Sequence, residues 1–536
     1  MNLRAEVEAW IADDPDPLTA SQLQGWLDTN NEAELRESFS GFLQFGTAGL
    51  RGPVRPGPSG MNRAVVGRTA AAIAVYMKAR NLTSVVIGRD ARHGSEDFTF
   101  ETAEIMSGAG MDVFILPRPL PTPVLAFATN ELKCDVGIMV TASHNPPQDN
   151  GYKVYLGGTV DGIHYRGSQI VSPTDASIAA HIDEIASLAS QPRGSAWSIV
   201  DEELINKYVS ITASIATKPG NLKIVYTAMH GVGTETIVRV FHKAGFPSPI
   251  LVDAQAQPDP DFPTVAFPNP EEPGAIDLSL ETARTFDADL VIANDPDADR
   301  CAAAVNDPVT GWRMLRGDEL GAIFGETIAR NTNKGILANS IVSSTILSKI
   351  AAHYNLEFKQ TLTGFKWLAK IDGLTFGYEE ALGYAVDAIT VNDKDGISAA
   401  IKLAQIATDL ASEGKTLLDL LDDIWARHGF HATEQISIRL TDLSQVDQIM
   451  GRIRKNTPTH IAGKVVTSVD DLAKPTDDLP PTDGLRIWLD GTIRIIIRPS
   501  GTEAKMKCYI EVIERDSHLA QIVLNQLRAP LKELLS

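Results

Sequence analysis

Three carboxylates stand at alternate positions directly after an apolar run. The run Leu290–Ala293 reads as a buried strand, and Asp295-Pro296-Asp297-Ala298-Asp299 follows it. Alternate residues of an extended loop point the same way, so the carboxylates converge and repel one another unless a cation neutralises them. Hard carboxylate oxygens suit Mg²⁺. We therefore predict a metal site here. The alternatives are a solvated acidic turn and a calcium loop, but the Gly and Glu that an EF-hand requires are missing.

A serine stands where a second apolar run stops. Val136–Val140 reads as a strand buried on both faces, and Asn145-Pro146-Pro147 cannot continue it, because proline lacks a donor and restricts the residue before it. Ser143 is therefore predicted on a tight loop at the carboxyl end of a strand, where ligands bind in open α/β sheets. An ordinary turn holding Ser143 and His144 is the alternative. A hydrolase-type Ser–His pair is disfavoured, since adjacent loop residues usually point apart and no G-x-S-x-G is present.

Two loops have the composition of phosphate sites. Residues 45–52 contain three glycines with Thr47 and Arg51, so backbone amides and a fork-shaped cation could approach a ligand. Residues 498–505 combine an arginine, two hydroxyl side chains, a glycine and a lysine. A plain Gly-rich turn and a charged hairpin tip are the respective alternatives. Glu379 and Glu380 lie beside glycines and could accept hydrogen bonds from sugar hydroxyls, although an exposed acidic pair would look the same.

Composition restricts the function classes. The 536 residues predict three or four domains. A net charge of −20 disfavours nucleic acid and anionic membranes, and an anionic substrate would need concentrated Arg and Lys in its cleft. Three separated cysteines favour neither disulfides nor zinc and suit a reducing cytosol, so we expect a cytoplasmic protein. The acidic N-terminus is unlike a signal peptide, and no apolar run is long enough to predict a membrane span.

The elements that must position these residues alternate between strands and helices. This alternation predicts α/β domains with parallel or mixed sheets over residues 1–205, 206–305 and 306–430, the first preceded by two short helices. Asn31 with Glu34 resembles a helix cap. Residues 256–273 read as a long loop, and one long helical stretch is expected from Gly396 to about Arg427. Residues 431–536 instead predict a smaller α+β domain with an antiparallel sheet, in which Asp490-Gly491 marks a hairpin.

Taken together, these motifs resemble the α-D-phosphohexomutase family, which includes phosphoglucomutases and phosphomannomutases. The motifs occur in family order and span residues 45–505; they are the phosphoserine loop Thr141-Ala142-Ser143-His144-Asn145-Pro146, the magnesium loop Asp295-Pro296-Asp297-Ala298-Asp299-Arg300, the sugar loop Gly377-Tyr378-Glu379-Glu380-Ala381 and the phosphate loop 498–505. Residues 45–52, 263–272 and Thr363-Gly364-Phe365-Lys366-Trp367 look most like the branch with phosphoglucomutase and phosphopentomutase homologues.

The resemblance implies four domains in a heart shape around a central cleft. It also implies an enzyme phosphorylated on Ser143, with Mg²⁺ held by Asp295, Asp297, Asp299 and a phosphoryl oxygen. The expected reaction is that of a phosphoglucomutase, with glucose 1,6-bisphosphate as both intermediate and activator. Phosphomannomutase and phosphopentomutase activity by the same mechanism remain open, as do a metal-dependent sugar phosphatase and a non-catalytic sugar-phosphate sensor. The sequence does not indicate an oligomeric state.

The same resemblance suggests a role for each remaining side chain. Arg51 would spread the charge of the transferred phosphoryl group, Lys153 would assist that group and His144 would support the loop. Lys394 is a candidate general base, provided that burial or cationic neighbours lower its pKa; some family members have a histidine nearby, and residues 390–394 contain none. The expected substrate-binding residues are Arg300, Thr363, Gly364, Glu379, Glu380, Arg498, Ser500, Gly501, Thr502 and Lys505.

Overall fold

The computed structural model describes residues 2–46, 49–475, 479–499 and 505–536, without the side chain of Leu443. The chain forms two compact units. The first unit comprises Met1–Leu315, Ala369–Asp372 and Leu382–Asp409. The second unit comprises Arg316–Leu368, Gly373–Ala381 and Leu410–Ser536. Each unit is described separately below.

The N-terminal segment of the first unit has three helices, and the prediction of two is wrong. They are α1 Leu3–Asp13, α2 Pro17–Asp28 and α3 Glu32–Ser38. Asp16 accepts a hydrogen bond from Leu18 N, and Pro17 fits the first turn, so a new helix begins shortly after α1 ends. Asn31 does precede α3, but its side chain makes no capping hydrogen bond.

A mixed sheet forms the core of the first α/β region. Its elements are β1 Leu50–Pro53, α4 Arg63–Lys78, β2 Ser84–Arg89, α5 Ser95–Gly108, β3 Asp112–Ile115, α6 Thr122–Glu131, β4 Val136–Val140, β5 Asp149–Leu156, β6 Thr159–Val160, β7 Ile163–His164, β8 Ser168–Gln169, α7 Thr174–Glu184, β9 Ser198–Ile199 and α8 Glu202–Ala213. The strand order is β1-β5-β4-β2-β3-β9, with β8 beside β5. Strands β2, β3, β4 and β9 are parallel, whereas β5 is antiparallel to both β4 and β1.

The serine loop joins two antiparallel neighbours of this sheet. All five residues of β4 are buried, as the apolar run predicted, and β5 returns beside it. Residues 141–148 therefore connect β4 to β5, and β5 brings Lys153 into the register position opposite Met139. The sequence analysis did not predict this eight-residue strand.

A second mixed sheet completes the α/β part of the first unit. It is built from β10 Ile224–Thr227, α9 Gly233–Lys243, β11 Ile250–Leu251, α10 Asp277–Phe286, β12 Leu290–Ala293, β13 Ala302–Asp307 and β14 Gly311–Met314. The order is β11-β10-β12-β13-β14, parallel over the first three strands and antiparallel over the last two. The alanines of β13 have low strand propensity, which is why the sequence did not reveal it. Residues 256–273 contain neither helix nor strand, as predicted.

The α/β elements around residues 316–428 include a parallel sheet in the second unit. They are α11 Gly317–Arg330, β15 Ile336–Ser340, α12 Ile346–His353, β16 Glu357–Thr361, α13 Phe365–Leu368, β17 Leu374–Glu379, β18 Gly383–Ala385, α14 Gly396–Ser412 and α15 Leu417–His428. Strand β15 lies between β16 and β17 and is parallel to both. The predicted single long helix is wrong, because Gly414 adopts φ +72° and Thr416 caps a new helix with Asp419.

The described residues of the C-terminal domain form an antiparallel sheet and two helices. Its elements are β19 Phe430–Arg439, α16 Leu443–Lys455, β20 His460–Ile461, β21 Lys464–Asp471, β22 Leu485–Leu489, β23 Ile493–Pro499, β24 Lys505–Glu514 and α17 Ser517–Leu534. The order is β19-β24-β23-β22-β21-β20. Asp490 and Gly491 both have positive φ and form the predicted hairpin turn. One sheet face packs on α16 and α17, and Ile496 and Tyr509 on the other face pack against Ile341 and Val342.

Candidate active site

The serine loop holds Ser143 in an unusual backbone conformation. Ser143 has φ +53°, in the left-handed region that non-glycine residues seldom adopt, and it is buried. Its amide donates to Thr141 Oγ1 at 2.9 Å. Its hydroxyl donates to Asp295 Oδ2 at 2.7 Å. Because such strain persists only where the surroundings impose it, the loop is a candidate functional element.

A buried arginine that the sequence analysis missed holds this loop. Arg92 Nη2 donates to the carbonyls of Ser143 and Asn145, and its Nη1 donates to those of Pro146 and Asp149. Arg92 follows β2, and β2 is the parallel neighbour of β4, so both strands end at the same edge of the sheet. The position of Arg92 after the strand Val85-Val86-Ile87 could have marked it as a candidate site residue, but the sequence alone did not reveal that β2 pairs with β4.

The three aspartates after β12 converge, as their alternate spacing predicts. All are fully buried, and one oxygen of each lies within 4.8 Å of the others. Ser143 Oγ contacts Asp295, so the structure brings together the serine and the acidic cluster that the sequence analysis identified separately. Thr122, which was not predicted, also joins the cluster, because its hydroxyl donates to Asp297 Oδ2 at 2.6 Å and its amide to Asp297 O.

Two lysines, the buried Lys153 and the half-buried Lys394, pair with the acidic cluster. Lys153 Nζ lies 2.7 Å from Asp297 Oδ2 and 2.8 Å from Asp299 Oδ2, and Lys394 Nζ lies 2.8 Å from Asp299 Oδ2. Burial alone would raise the pKa of Asp299, but the charges of Lys153 and Lys394 lower it. Burial and the neighbouring Asp299 raise the pKa of Asp297. The lysines therefore supply part of the positive charge that three converging carboxylates require.

The acidic cluster retains acceptors suited to a metal. Asp297 Oδ1 and Asp299 Oδ1 are buried and have no hydrogen-bond partner among the described residues. Such orphaned carboxylate oxygens are costly in an interior. Together with Asp295 they offer the all-oxygen donor set that Mg²⁺ prefers. The residues present therefore fit the magnesium ion that the sequence resemblance implies.

The position of Lys394 does not meet the condition set for a general base. Burial alone would lower its pKa, but the carboxylates of Asp299 and Asp393 raise it above the ordinary lysine value. Lys394 is consequently a protonated partner of the acidic cluster in this arrangement. Lys153, expected beside the phosphoryl group, likewise has its Nζ on the carboxylates.

His144 lies closer to the serine hydroxyl than the sequence analysis expected. Its Nδ1 is 3.1 Å from Ser143 Oγ, so the expectation that adjacent loop residues point apart is wrong here. The left-handed conformation of Ser143 turns the two side chains to one side. Burial and the charges of Arg300 and Arg51 lower the pKa of His144 well below its ordinary value, so the imidazole is neutral.

Two further arginines border the serine and the aspartates. Arg51 on β1 is exposed, and its Nη1 donates to Asn145 Oδ1 at 3.3 Å. Next to it, a Cβ at Gly49 would lie 1.8 Å from Tyr152 O, so glycine is required for β1 to approach β5. Arg300 N donates to Asp295 Oδ1 at 3.0 Å. Thr47, the other polar side chain predicted in the Gly-rich loop, lies outside the described residues.

Within the second unit, the Thr363 loop and the acidic pair meet. Gly364 has φ +113°, and its amide donates to Glu379 Oε1 at 2.7 Å. Glu380 Oε2 accepts from Ser340 Oγ at 3.2 Å and Ser343 Oγ at 3.1 Å. Both glutamates are half-buried, Glu379 as the last residue of β17 and Glu380 directly after it. The serines were missed, because nothing local in the sequence indicates that β15 pairs with β17.

The predicted phosphate loop is only partly described. Arg498, the next-to-last residue of β23, is half-buried and lines one cavity of about 110 Å³ together with Thr363 and Trp367. Lys505 begins β24 opposite Arg439. Ser500, Gly501 and Thr502 lie outside the described residues. Within the second unit, the structure therefore brings one end of the phosphate loop beside the Thr363 loop.

Comparison with known families agrees with this arrangement. Domain models described as "Phosphoglucomutase/phosphomannomutase, alpha/beta/alpha domain" I, II and III match residues 43–188, 202–311 and 316–428, which is more than half of the chain. The prediction of three similar α/β domains with mixed sheets followed by a smaller α+β domain is confirmed.

Three curated relatives cover nearly the whole chain. A protein named "Probable phosphomannomutase" from Haemophilus influenzae is 45% identical over 89% of this chain and 98% of its own length. A mouse phosphopentomutase is 33% identical over 95% of this chain and 90% of its own length. A phosphoglucomutase from Staphylococcus epidermidis is 31% identical over 94% and 96%, respectively.

Solved structures show the same fold. The phosphoglucomutase/phosphomannomutase family protein of Burkholderia thailandensis has a TM-score of 0.71 and 20% identity, covering 90% of this chain and 96% of that protein. Among the described residues, no helix combines the length and apolar character needed to cross a bilayer.

Proposed function

The chain belongs to the α-D-phosphohexomutase family and is an intramolecular phosphotransferase, and from this premise we propose that it is a phosphoglucomutase. It would interconvert glucose 1-phosphate and glucose 6-phosphate through phosphorylated Ser143 and a glucose 1,6-bisphosphate intermediate, which also serves as activator. One observation carries the proposal. The Ser143 hydroxyl lies 2.7 Å from Asp295 Oδ2, inside a cluster of three carboxylates and two lysines.

Each group around Ser143 has a defined part in phosphoryl transfer. Asp295, Asp297 and Asp299, with a phosphoryl oxygen, would hold Mg²⁺, which supplies Lewis-acid neutralisation of phosphate charge when bound. Arg51 would spread the remaining charge of a loose transition state. Arg92 keeps the loop carbonyls in place while the serine side chain changes.

Each of the two half-reactions transfers one phosphoryl group between Ser143 and the sugar. In the first, the bond between Ser143 Oγ and phosphorus breaks as a sugar hydroxyl oxygen bonds to phosphorus and loses its proton to a base, and Ser143 Oγ takes up a proton to leave as the alcohol. In the second, the serine attacks the other phosphate of the bisphosphate, and its own hydroxyl proton must leave. Asp295 Oδ2 at 2.7 Å and the neutral imidazole of His144 at 3.1 Å are the acceptors within reach of that proton.

Lys394 is the candidate base for the sugar hydroxyl. Lys394 can serve only if Asp299 is engaged by a cation, because in the present arrangement this carboxylate helps to keep the lysine protonated. We therefore propose Lys394 as a cationic partner of the site and of the substrate phosphate. Its conversion to a base is conditional on metal binding.

The sugar loops would recognise the substrate in both orientations. Glu379 and Glu380 would accept hydrogen bonds from sugar hydroxyls, and Thr363 and Gly364 would contact the sugar from the adjacent loop. Arg498, Ser500, Thr502 and Lys505 would hold the phosphate that does not react, and Arg300 and Gly501 are further proposed substrate-binding residues. A fixed phosphate site explains how turning the bisphosphate around presents its other end to Ser143. The domain limits at residues 205, 305 and 430 remain predictions.

The relatives leave two other sugars as candidates. The relative with 45% identity carries a phosphomannomutase name, and mannose differs from glucose only in the configuration at C2. Relatives at 33% identity are named phosphopentomutase. Mannose 1-phosphate is therefore the second candidate substrate, and ribose 1-phosphate the third.

A side-by-side rate comparison tests the proposal. Glucose 1-phosphate, mannose 1-phosphate and ribose 1-phosphate are each supplied with Mg²⁺ and glucose 1,6-bisphosphate, and kcat/KM is measured for each. The highest value is expected for glucose 1-phosphate. Free phosphate release without glucose 6-phosphate would instead identify a phosphatase, and binding without turnover of any substrate would identify a sensor.

A further inference from the structure

One buried ion pair joins two neighbouring strands of the C-terminal sheet. Arg494 on β23 stands directly opposite Glu511 on β24, and Arg494 Nη2 lies 3.1 Å from Glu511 Oε2. Both residues are almost fully buried. The flanking Ile493 and Ile495 face the helices, so Arg494 points to the opposite face, toward the loop after β15.

The pair is bound to that loop by a set of hydrogen bonds. Arg494 donates through Nη1 to Ile341 O at 3.1 Å and through Nη2 to Ser343 O. Glu511 Oε1 accepts from Ser344 Oγ at 2.6 Å and from Thr345 N at 2.7 Å. The two charged side chains therefore fix residues 341–345 through main-chain atoms at both ends.

A third residue of the sheet completes the surroundings of Glu511. His431 on β19 has its Nδ1 2.9 Å from Glu511 Oε1. Burial alone would raise the pKa of Glu511, but the charge of Arg494 and the hydrogen bonds of His431 and Ser344 lower it to about 2. Glu511 is therefore a charged, multiply bonded centre at neutral pH.

The loop fixed in this way holds one of the predicted sugar carboxylates. Ser343 Oγ donates to Glu380 Oε2 at 3.1 Å, accepts from Glu380 N at 3.0 Å and lies 2.9 Å from Ser340 Oγ. A continuous path of contacts runs from Arg494 through the carbonyl of Ser343 to the side chain of Glu380. All these residues belong to the second unit.

We propose that Arg494 and Glu511 are positioning residues that set the orientation of Glu380 toward the sugar. The inference rests on the sugar-binding role of Glu380 in the proposed function. By this proposal the C-terminal sheet has two roles. It would supply Arg498 to the substrate phosphate, and through a separate buried contact it would also set the orientation of the Glu380 carboxylate.

The chemistry of the pair favours positioning over simple packing. A buried ion pair is weak evidence of stability, because desolvation offsets much of its attraction and an apolar pair often replaces it without loss. The planar guanidinium of Arg494, however, reaches two carbonyls and a carboxylate at once, which no apolar side chain reproduces. Its geometry therefore fixes the orientation of residues 341–343.

The test compares KM with kcat for the hexose 1-phosphate that the enzyme uses best. Glu380→Gln is expected to raise KM about 10-fold, corresponding to one weakened charge-assisted hydrogen bond. Arg494→Lys and Ser343→Ala are each expected to raise KM roughly 3- to 10-fold with a smaller change in kcat, because Ser143 and the metal cluster are untouched. The double variant Arg494→Lys/Glu380→Gln should show no larger KM than Glu380→Gln alone.

Matched variants keep the test decisive. Arg528→Lys alters another arginine–glutamate pair of the same domain, in which Nε and Nη2 contact Glu434, and should leave KM unchanged. Should Arg494→Lys fail to fold, Ser343→Ala and Glu511→Gln still test the path. Wild-type KM in folded Ser343→Ala or Arg494→Lys, beside a raised KM in Glu380→Gln, would overturn the positioning inference alone. An unchanged KM in Glu380→Gln would instead contradict the sugar role of Glu380, and the inference with it.

Discussion

The serine site of the first unit and the sugar loops of the second unit both gather acidic side chains, but they hold them differently. In the first, Asp295, Asp297 and Asp299 are fully buried and bordered by Lys153 and Lys394. In the second, the acidic pair at the end of β17 is half-buried, and the contacts described above come from a backbone amide and two serine hydroxyls.

This difference suggests different tasks for the two regions: the first would stabilise the charge of a phosphoryl group, and the second would recognise the sugar. Fixed cations beside buried carboxylates suit a group that must tolerate phosphate charge, since electrostatic forces are strong where water is excluded. The described partner of Glu379 is the neutral amide of Gly364, which leaves this carboxylate better able to exchange partners and suits a site that must bind hydroxyls of one sugar in two orientations. The comparison predicts large effects on chemistry in the first unit and modest effects on binding in the second.

The sharpest test of the first unit is the removal of its nucleophile. Ser143→Ala should lower kcat at least ~10³-fold, as expected for an essential covalent nucleophile. A coupled assay of glucose 6-phosphate formation measures the loss, and mass spectrometry checks for the absent phosphoryl group. The exposed Ser190→Ala is the control. Near-normal turnover in Ser143→Ala would reject the assignment.

Neutralising one carboxylate tests whether the buried charge is tuned for a metal. Asp297→Asn should lower kcat roughly 10²- to 10³-fold, because an oxygen donor and its charge are lost from the predicted Mg²⁺ site. Treatment with a chelator should cause a loss in the native enzyme that added Mg²⁺ restores. Asp261→Asn, an exposed change, provides the comparison. Full activity of Asp297→Asn with a normal Mg²⁺ response would contradict the site.

Acid titration tests the contribution of the buried Glu511 carboxylate to the stability of the folded protein. The pKa of Glu511 is about 2 against an ordinary value of 4.5, so the group stabilises the folded state above pH 4.5. This contribution, on the order of 3 kcal/mol, is lost as the pH falls from 4.5 toward 2. In Glu511→Gln the free energy of unfolding should therefore be lower at pH 7, and the gap to wild type should narrow in acid.

Denaturant unfolding followed by circular dichroism measures this gap. Glu8→Gln, at an exposed helix position, serves as the control and should leave the pH dependence as in wild type. A gap for Glu511→Gln that is constant from pH 7 to pH 3 would contradict the expected linkage.

The smallest expected effect concerns the other sugar carboxylate. Glu379→Gln should raise KM only about threefold with little change in kcat, because a neutral amide oxygen can still accept the Gly364 hydrogen bond. Initial rates with glucose 1-phosphate and mannose 1-phosphate measure the change. A loss of kcat as large as that of Asp297→Asn would erase the distinction between the two regions.

The predictable part of the site was the part encoded locally. Ser143 and the three aspartates each follow an apolar strand, so strand, loop and side chain can be read from one short stretch. Arg92 was missed because its contacts depend on β2 lying beside β4, and this order is a property of the sheet. The Ser343 contact to Glu380 was missed for the same reason, as it depends on β15 lying beside β17.

Long-range charge was the other obstacle to prediction. Lys153 and Lys394 were identified as candidates, but which negative group they would face could not be read from their neighbours in the sequence. The fold class was accessible because alternating helices and strands have clear periodicities. Gly414 indicates the end of α14, but the sequence analysis did not use it and predicted one continuous helix. Strand β13 was missed because its alanines have little strand propensity.

The hydrogen bonds from Arg92 to main-chain carbonyls of the serine loop have a consequence for the proposed catalytic cycle. In the proposed reaction Ser143 alternates between a neutral alcohol and a phosphate ester, a swing of up to about two charges. Arg92 binds none of the side chains that change; it binds the carbonyls of Ser143, Asn145, Pro146 and Asp149. Two of these carbonyls belong to peptide bonds with proline nitrogens, which have no hydrogen to leave unsatisfied. The contacts that hold the loop backbone therefore do not depend on the charge of the Ser143 side chain, and Ser143 can gain and lose its phosphoryl group without a change in the loop conformation.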